Sequence, residues 1–142
     1  MKYSYSAKIP ASLIALTLLS GVAFAQTTKV DLGKREFDSN CAVCHGTTGK
    51  GNGPYLEMLR RSPPDLTTLA KSNGGVFPMN RVYESIEGAN VASHGSRDMP
   101  IWGYDYRIQA GEYYMDVPYN PEAYVRSRVL ALVEYINRLQ VR

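Results

Sequence analysis

The stretch "CAVCHG", residues 41–46, contains both cysteines of the chain and a histidine directly after the second. Two thiols three positions apart beside an imidazole could bind zinc, carry out thiol–disulfide exchange or attach a haem. A structural zinc site needs four ligands, and beyond these three residues the chain offers only His94. Thioredoxin-type cysteine pairs follow a strand, whereas the preceding residues place Val30, Gly33 and Phe37 on one helical face.

The haem interpretation needs no further residues. Two thiols add across the vinyl groups of haem, and the adjacent histidine coordinates the iron on one face. One turn of chain can present all three groups to the same macrocycle. The motif therefore predicts one covalently attached haem c on Cys41 and Cys44, with His45 as a ligand of the iron.

The N-terminus predicts export. A start whose only charges are lysines precedes the apolar run "IPASLIALTLLSGVAFA", which ends in Ala23-Phe24-Ala25. We interpret residues 1–25 as a signal peptide cleaved after Ala25, with residues 26–142 as one small domain. A retained membrane anchor is the alternative, but the run from Leu13 to Phe24 is short for a span. Haem attachment outside the cytoplasm agrees with a periplasmic location and with no membrane span in the mature chain.

The charge balance excludes some partners. Removing the signal peptide takes away two lysines, so the net charge falls from +3 to +1, with 14 Lys and Arg against 13 Asp and Glu. A nearly neutral chain without a stripe of basic residues is not expected to bind nucleic acid or an acidic membrane surface.

The elements that must position the motif are predicted to be helices, because no segment alternates as a strand does. The last helix is the clearest: Asn120 caps it, Pro121 takes its first position, and apolar residues form one stripe. That stripe consists of Val129, Leu132, Val133, Ile136 and Leu139. The earlier predicted helical segments are Leu32 to Cys41, 55–61, 65–72 and Pro78 to near Gly88. The fold class is therefore all-α.

Over residues 30–140 the chain resembles the class I, single-haem bacterial cytochromes c. In that family Gly-x-x-x-Phe precedes the first cysteine, as Gly33 and Phe37 do here. Leu-x-x-Tyr lies on the last helix, as Leu132 and Tyr135 do. The resemblance implies that the two helices cross where the glycine lets their backbones approach.

Two further matches concern the ligands of the iron. The resemblance implies that the carbonyl of a Gly-Pro proline, matched by Gly53-Pro54, holds His45. It also implies that Met99, followed by Pro100, is the distal ligand of the iron. Met99 lies 54 residues after His45, which is far enough to reach the other face of the haem.

Other residues compete for the distal position. Met115 is the main methionine competitor, because it lies in an aromatic segment expected to be flexible. Met58 and Met79 are interpreted as packing residues. His94 would give a bis-histidine iron of lower potential, and its simpler interpretation is a loop or surface histidine.

The segment 103–124 departs from the compact family pattern and carries six tyrosines. It could form a flap over the haem edge or a docking surface; packing is the commoner fate of aromatic clusters.

A thioether and an imidazole on one iron favour electron transfer with little rearrangement. We therefore predict a periplasmic single-electron carrier, not an enzyme, whose partners are a periplasmic redox donor and acceptor. We expect a monomer or a subunit of a redox complex. The alternatives are a peroxidase-like haem enzyme or sensor with an openable distal site, and a haem subunit of a periplasmic dehydrogenase or oxidase.

Overall fold

A computed structural model describes residues 29–88 and 99–141, and these residues contain helices and turns but no strand. The predicted all-α class is confirmed. The helices are α1 (Leu32–Glu36), a π-helical turn (Phe37–Cys41), α2 (Ala42–His45), α3 (Met79–Glu87), α4 (Trp102–Tyr113) and α5 (Pro121–Arg138). The predicted signal peptide, 1–25, and His94 lie outside the described residues. Within the described ranges no helix is long and apolar enough to cross a membrane.

The first helix runs further than predicted. Asp31 caps it by accepting a hydrogen bond from the Lys34 amide at 3.0 Å. The prediction ended the helix at Cys41, but the chain continues through the π-helical turn into α2. This helical stretch ends at Gly46, whose φ of 76° is a positive value that residues with a side chain rarely adopt. Helical backbone therefore leads from the N-terminus of the domain directly to His45.

The predicted crossing of the first and last helices is confirmed. A Cβ built on Gly33 would lie 2.0 Å from the Ala131 carbonyl oxygen and 2.9 Å from Cβ of Tyr135. The rings of Phe37 and Tyr135 pack with centroids 5.1 Å apart. Phe37 and Leu132 are fully buried. The missing side chain of Gly33 is what lets the two backbones approach.

The last helix matches its prediction. The Asn120 side chain accepts a hydrogen bond from the Ala123 amide at 3.0 Å, and Pro121 occupies the first turn. Its predicted stripe faces the core, with Leu139 partly buried just beyond the end of the helix.

The middle of the chain is less helical than predicted. Segments 55–61 and 65–72 form only the short 3-10 turns Leu56–Met58, Leu66–Thr68 and Lys71–Asn73. Asp65 caps the second of these turns by accepting a hydrogen bond from the Thr67 amide at 2.8 Å. Helix α3 agrees with its prediction and buries Val82 and Ile86. Met79, interpreted from the sequence as a packing residue, is 49 % exposed.

Helix α4 was not predicted. It replaces much of the expected flap or docking segment with regular structure that packs against α3 and α5. The residues that it buries are Gly103, Tyr106 and Ala110, which form one stripe at helical spacing. Two of the three are small, so the stripe carries little of the apolar pattern by which a helix is found in a sequence.

Candidate functional site

The two cysteines and the histidine lie within one turn of helical chain. Cys41 ends the π-helical turn, and α2 carries Cys44 and His45. Cys41 is buried, Cys44 is partly buried, and both are free thiols. Within the described ranges no group of three or more His, Cys, Asp or Glu side chains is placed to hold a metal ion. These three side chains therefore do not converge on one point as the ligands of a shared ion do.

The environment of Cys41 disfavours a thiolate. Burial, with smaller contributions from the nearby carboxylate of Glu36 and from Cys44, raises the pKa of this thiol to about 12. The thiolate is the form that exchanges disulfides and binds zinc. Cys41 is thus better suited to becoming a thioether than to thiol redox or zinc chemistry.

His45 is a buried, neutral imidazole. It is 8 % exposed, and burial lowers its pKa, while the backbone carbonyl of Pro64 acts in the opposite direction. That carbonyl does not satisfy Nδ1, which is buried and has no hydrogen-bond partner among the described residues. A neutral ring is the form that binds a metal. Buried polar atoms are seldom left unpaired, so this ring has the character of a ligand.

The glycine-rich loop after His45 is fitted against α2. The Gly51 amide donates to the His45 carbonyl at 2.8 Å, and the Gly53 amide donates to the Cys44 carbonyl at 3.1 Å. A Cβ on Gly53 would lie 2.4 Å from the Val43 carbonyl oxygen. These contacts satisfy carbonyls at the end of α2 and hold the histidine in place.

One residue carried over from the resemblance needs correction. Pro54 is exposed, and the proline whose carbonyl faces His45 is Pro64. Pro64 reaches the ring because its neighbour Pro63 packs on the loop, with the Pro63 carbonyl oxygen 2.4 Å from where a Cβ of Gly51 would stand. Pro54 and Pro64 both follow the His45 motif, and their spacing from it alone does not show which proline carbonyl faces the ring.

Met99 is carried by a different part of the chain. Just after it, Ile101 returns to the end of α3, where its Cγ2 lies 2.4 Å from the position a Cβ of Gly88 would take. Met99 is 40 % exposed, whereas Met58 and Met115 are 77 % and 80 % exposed. The structure therefore brings Cys41, Cys44 and His45 together and places Met99 in another part of the chain, three residues before α4.

An all-helical domain with a buried imidazole beside two free thiols in one turn of chain is the arrangement of a c-type haem protein. The family model described as Cytochrome c matches residues 30–140, and the chain belongs to this family. No curated protein and no solved structure matches the chain. Membership implies a covalently bound c-type haem with its iron and a role as a haem-based electron carrier.

Proposed function

We propose that the protein is a periplasmic carrier of single electrons with one haem c, bound by Cys41 and Cys44 and ligated by His45 and Met99. The observation that carries the proposal is the buried His45 ring with an unpartnered Nδ1, one residue after a free thiol. When bound, the haem supplies a one-electron iron couple. The residues of the chain supply attachment, ligation and burial.

The proximal side is built for a fixed ligand. Burial keeps the His45 ring neutral at neutral pH, since its pKa is lowered. The amide of Gly51 and the end of α2 hold its backbone. A ligand that does not move between oxidation states keeps the reorganisation on electron transfer small, which is what a carrier requires.

The distal side rests on Met99. It is the least exposed of Met58, Met79, Met99 and Met115. Pro100 restricts the backbone beside it, and the contact of Ile101 with Gly88 at the end of α3 anchors the chain two residues after Met99. Methionine sulfur stabilises ferrous iron relative to a second histidine, so we propose a higher-potential carrier.

Substituting Met99 tests the assignment. Unmodified ferric protein should show the weak long-wavelength absorption band of a sulfur–iron bond, and the ferrous protein should bind carbon monoxide slowly. Met99→Ala should abolish the band, open the site to carbon monoxide and lower the reduction potential. Met115→Ala and His94→Ala are the controls and should leave the band unchanged. Loss of the band with Met115→Ala and its survival in Met99→Ala would show that the ligand is misassigned.

One measurement, the mass of the purified protein, tests both the export and the number of haems. We propose cleavage after Ala25, so the purified protein should have the mass of residues 26–142 plus one haem. Domains of this family are typically extracellular or periplasmic, which supports the proposed compartment. A retained N-terminus or a second haem mass would contradict it.

A further inference from the structure

Glu36 is a buried carboxylate on which three parts of the fold converge. It is 9 % exposed. Its Oε2 accepts one hydrogen bond from the Tyr106 hydroxyl on α4 and one from the Asn40 side chain, each at 3.1 Å. Its Oε1 pairs with Arg128 on α5. A carboxylate out of water is costly unless paired and hydrogen-bonded, so all three partners offset that cost together.

The position of α4 depends on this cluster through Tyr106. Its other fully buried residues are Gly103 and Ala110, which remove little apolar surface from water. Tyr106 is 0 % exposed and is the large side chain that α4 buries. Its hydroxyl, fixed on Glu36, sets the rotation and height of the helix against α1 and α5.

The other polar attachment of α4 is weaker. Arg107 pairs with Glu122 at 2.9 Å and, more loosely, with Glu87 on α3 at 3.7 Å; its own side chain is 40 % exposed, and those of Glu122 and Glu87 are 63 % and 16 % exposed. Exposed ion pairs contribute little to stability because water screens them. The buried hydrogen bond of Tyr106 therefore outweighs the surface pair in holding α4.

Helix α4 begins three residues after Met99. Pro100 and Ile101 form the link, and Ile101 is wedged against Gly88 while Gly103 lies against the Glu87 carbonyl. Because this link is only two residues long, a displacement of α4 would also displace Met99.

We infer that Tyr106 is a positioning residue for the distal ligand: by hydrogen-bonding to Glu36 it fixes α4, and α4 fixes Met99. This inference rests on the proposed ligation by Met99. Tyr106 would act through Glu36 and α4 and is not proposed as a ligand.

The test is Tyr106→Phe in the haem-loaded protein, which keeps the ring and removes the hydroxyl. Glu36 loses one of its buried hydrogen bonds, so α4 and Met99 should leave their positions more readily. The apparent affinity of ferric protein for added imidazole should rise about tenfold, equivalent to about 1.4 kcal/mol. The sulfur–iron band should also disappear at a lower urea concentration than the helical circular dichroism does.

Tyr104→Phe is the matched control, because it removes the same hydroxyl from the same helix at a site that is 62 % exposed. Its imidazole affinity should stay within about twofold of the unmodified value, as for ordinary surface substitutions. An equally small change in Tyr106→Phe would overturn the inference, as would simultaneous loss of band and helix in urea. Absence of the band from the unmodified protein would instead overturn the proposed ligation.

A second measurement needs no variant. In the unmodified holoprotein, amides of α4 should be protected from hydrogen exchange at a level comparable with α1, because the Glu36 cluster joins both helices. Free exchange throughout α4 while the sulfur–iron band remains intact would show that α4 does not hold Met99.

Discussion

Gly33→Ala adds one methyl group where α1 meets α5. The new Cβ would lie 2.0 Å from the backbone oxygen of Ala131, so the close-packed helices would have to separate by at least about 1 Å. A backbone carbonyl cannot rotate away as a side chain can, which places the cost at about 3 kcal/mol, the upper end of ordinary overpacking. Better helix propensity returns up to about 1 kcal/mol.

The net loss is therefore about 2 kcal/mol, or about 10 °C in Tm for a domain of this size. Thermal unfolding of the haem-loaded protein followed by far-ultraviolet circular dichroism measures it. Gly111→Ala is the matched control: it is the same change in α4, where the nearest atom is the Tyr119 hydroxyl at an ordinary 3.6 Å. That variant should be neutral or slightly more stable. If Gly33→Ala keeps the Tm or raises it as the control does, the crossing is not a tight contact.

Two further perturbations address cofactor and pH. Changing Cys41 and Cys44 to Ala should leave a protease-sensitive chain without cooperative unfolding, because a domain this small needs the haem to complete its core; a native-like melt would contradict this. The pKa of Tyr106 is raised from its ordinary 10.0 by burial and then by Glu36. The unfolded chain therefore loses this proton first, and stability should fall above about pH 10 by up to about 1.4 kcal/mol per pH unit. Tyr106→Phe should remove that part of the decline in urea titrations at pH 9–11; parallel curves for the two proteins would refute the assignment.

The parts of the fold that the sequence predicts well are those encoded by neighbouring residues. Asn120 followed by Pro121, then an apolar stripe, predicts α5 and its cap. The role of Gly33 is not set by its neighbours in the sequence, because it depends on the contact with α5. It was found through the resemblance to cytochromes c, and the structure shows the contact.

The predictions from sequence fail where contacts between residues far apart in the chain determine the structure. Helix α4 is held by Tyr106 reaching Glu36, 70 positions away, and its small buried residues give no apolar period. Likewise, Pro64 and not Pro54 faces His45 because the loop folds back on α2. Neither contact leaves a mark in the neighbouring sequence.

The same division runs through the site itself. Cys41, Cys44 and His45 are adjacent in the chain, so their geometry follows from a few helical residues and survives most distant changes. Met99 has no such local frame, and we propose that its placement depends on α3, α4 and the buried carboxylate of Glu36. An iron that loses its distal sulfur binds added ligands and can catalyse, whereas one that keeps it only exchanges electrons. On this reasoning, the feature that keeps the protein a carrier lies in the packing of α4, outside the haem-binding motif.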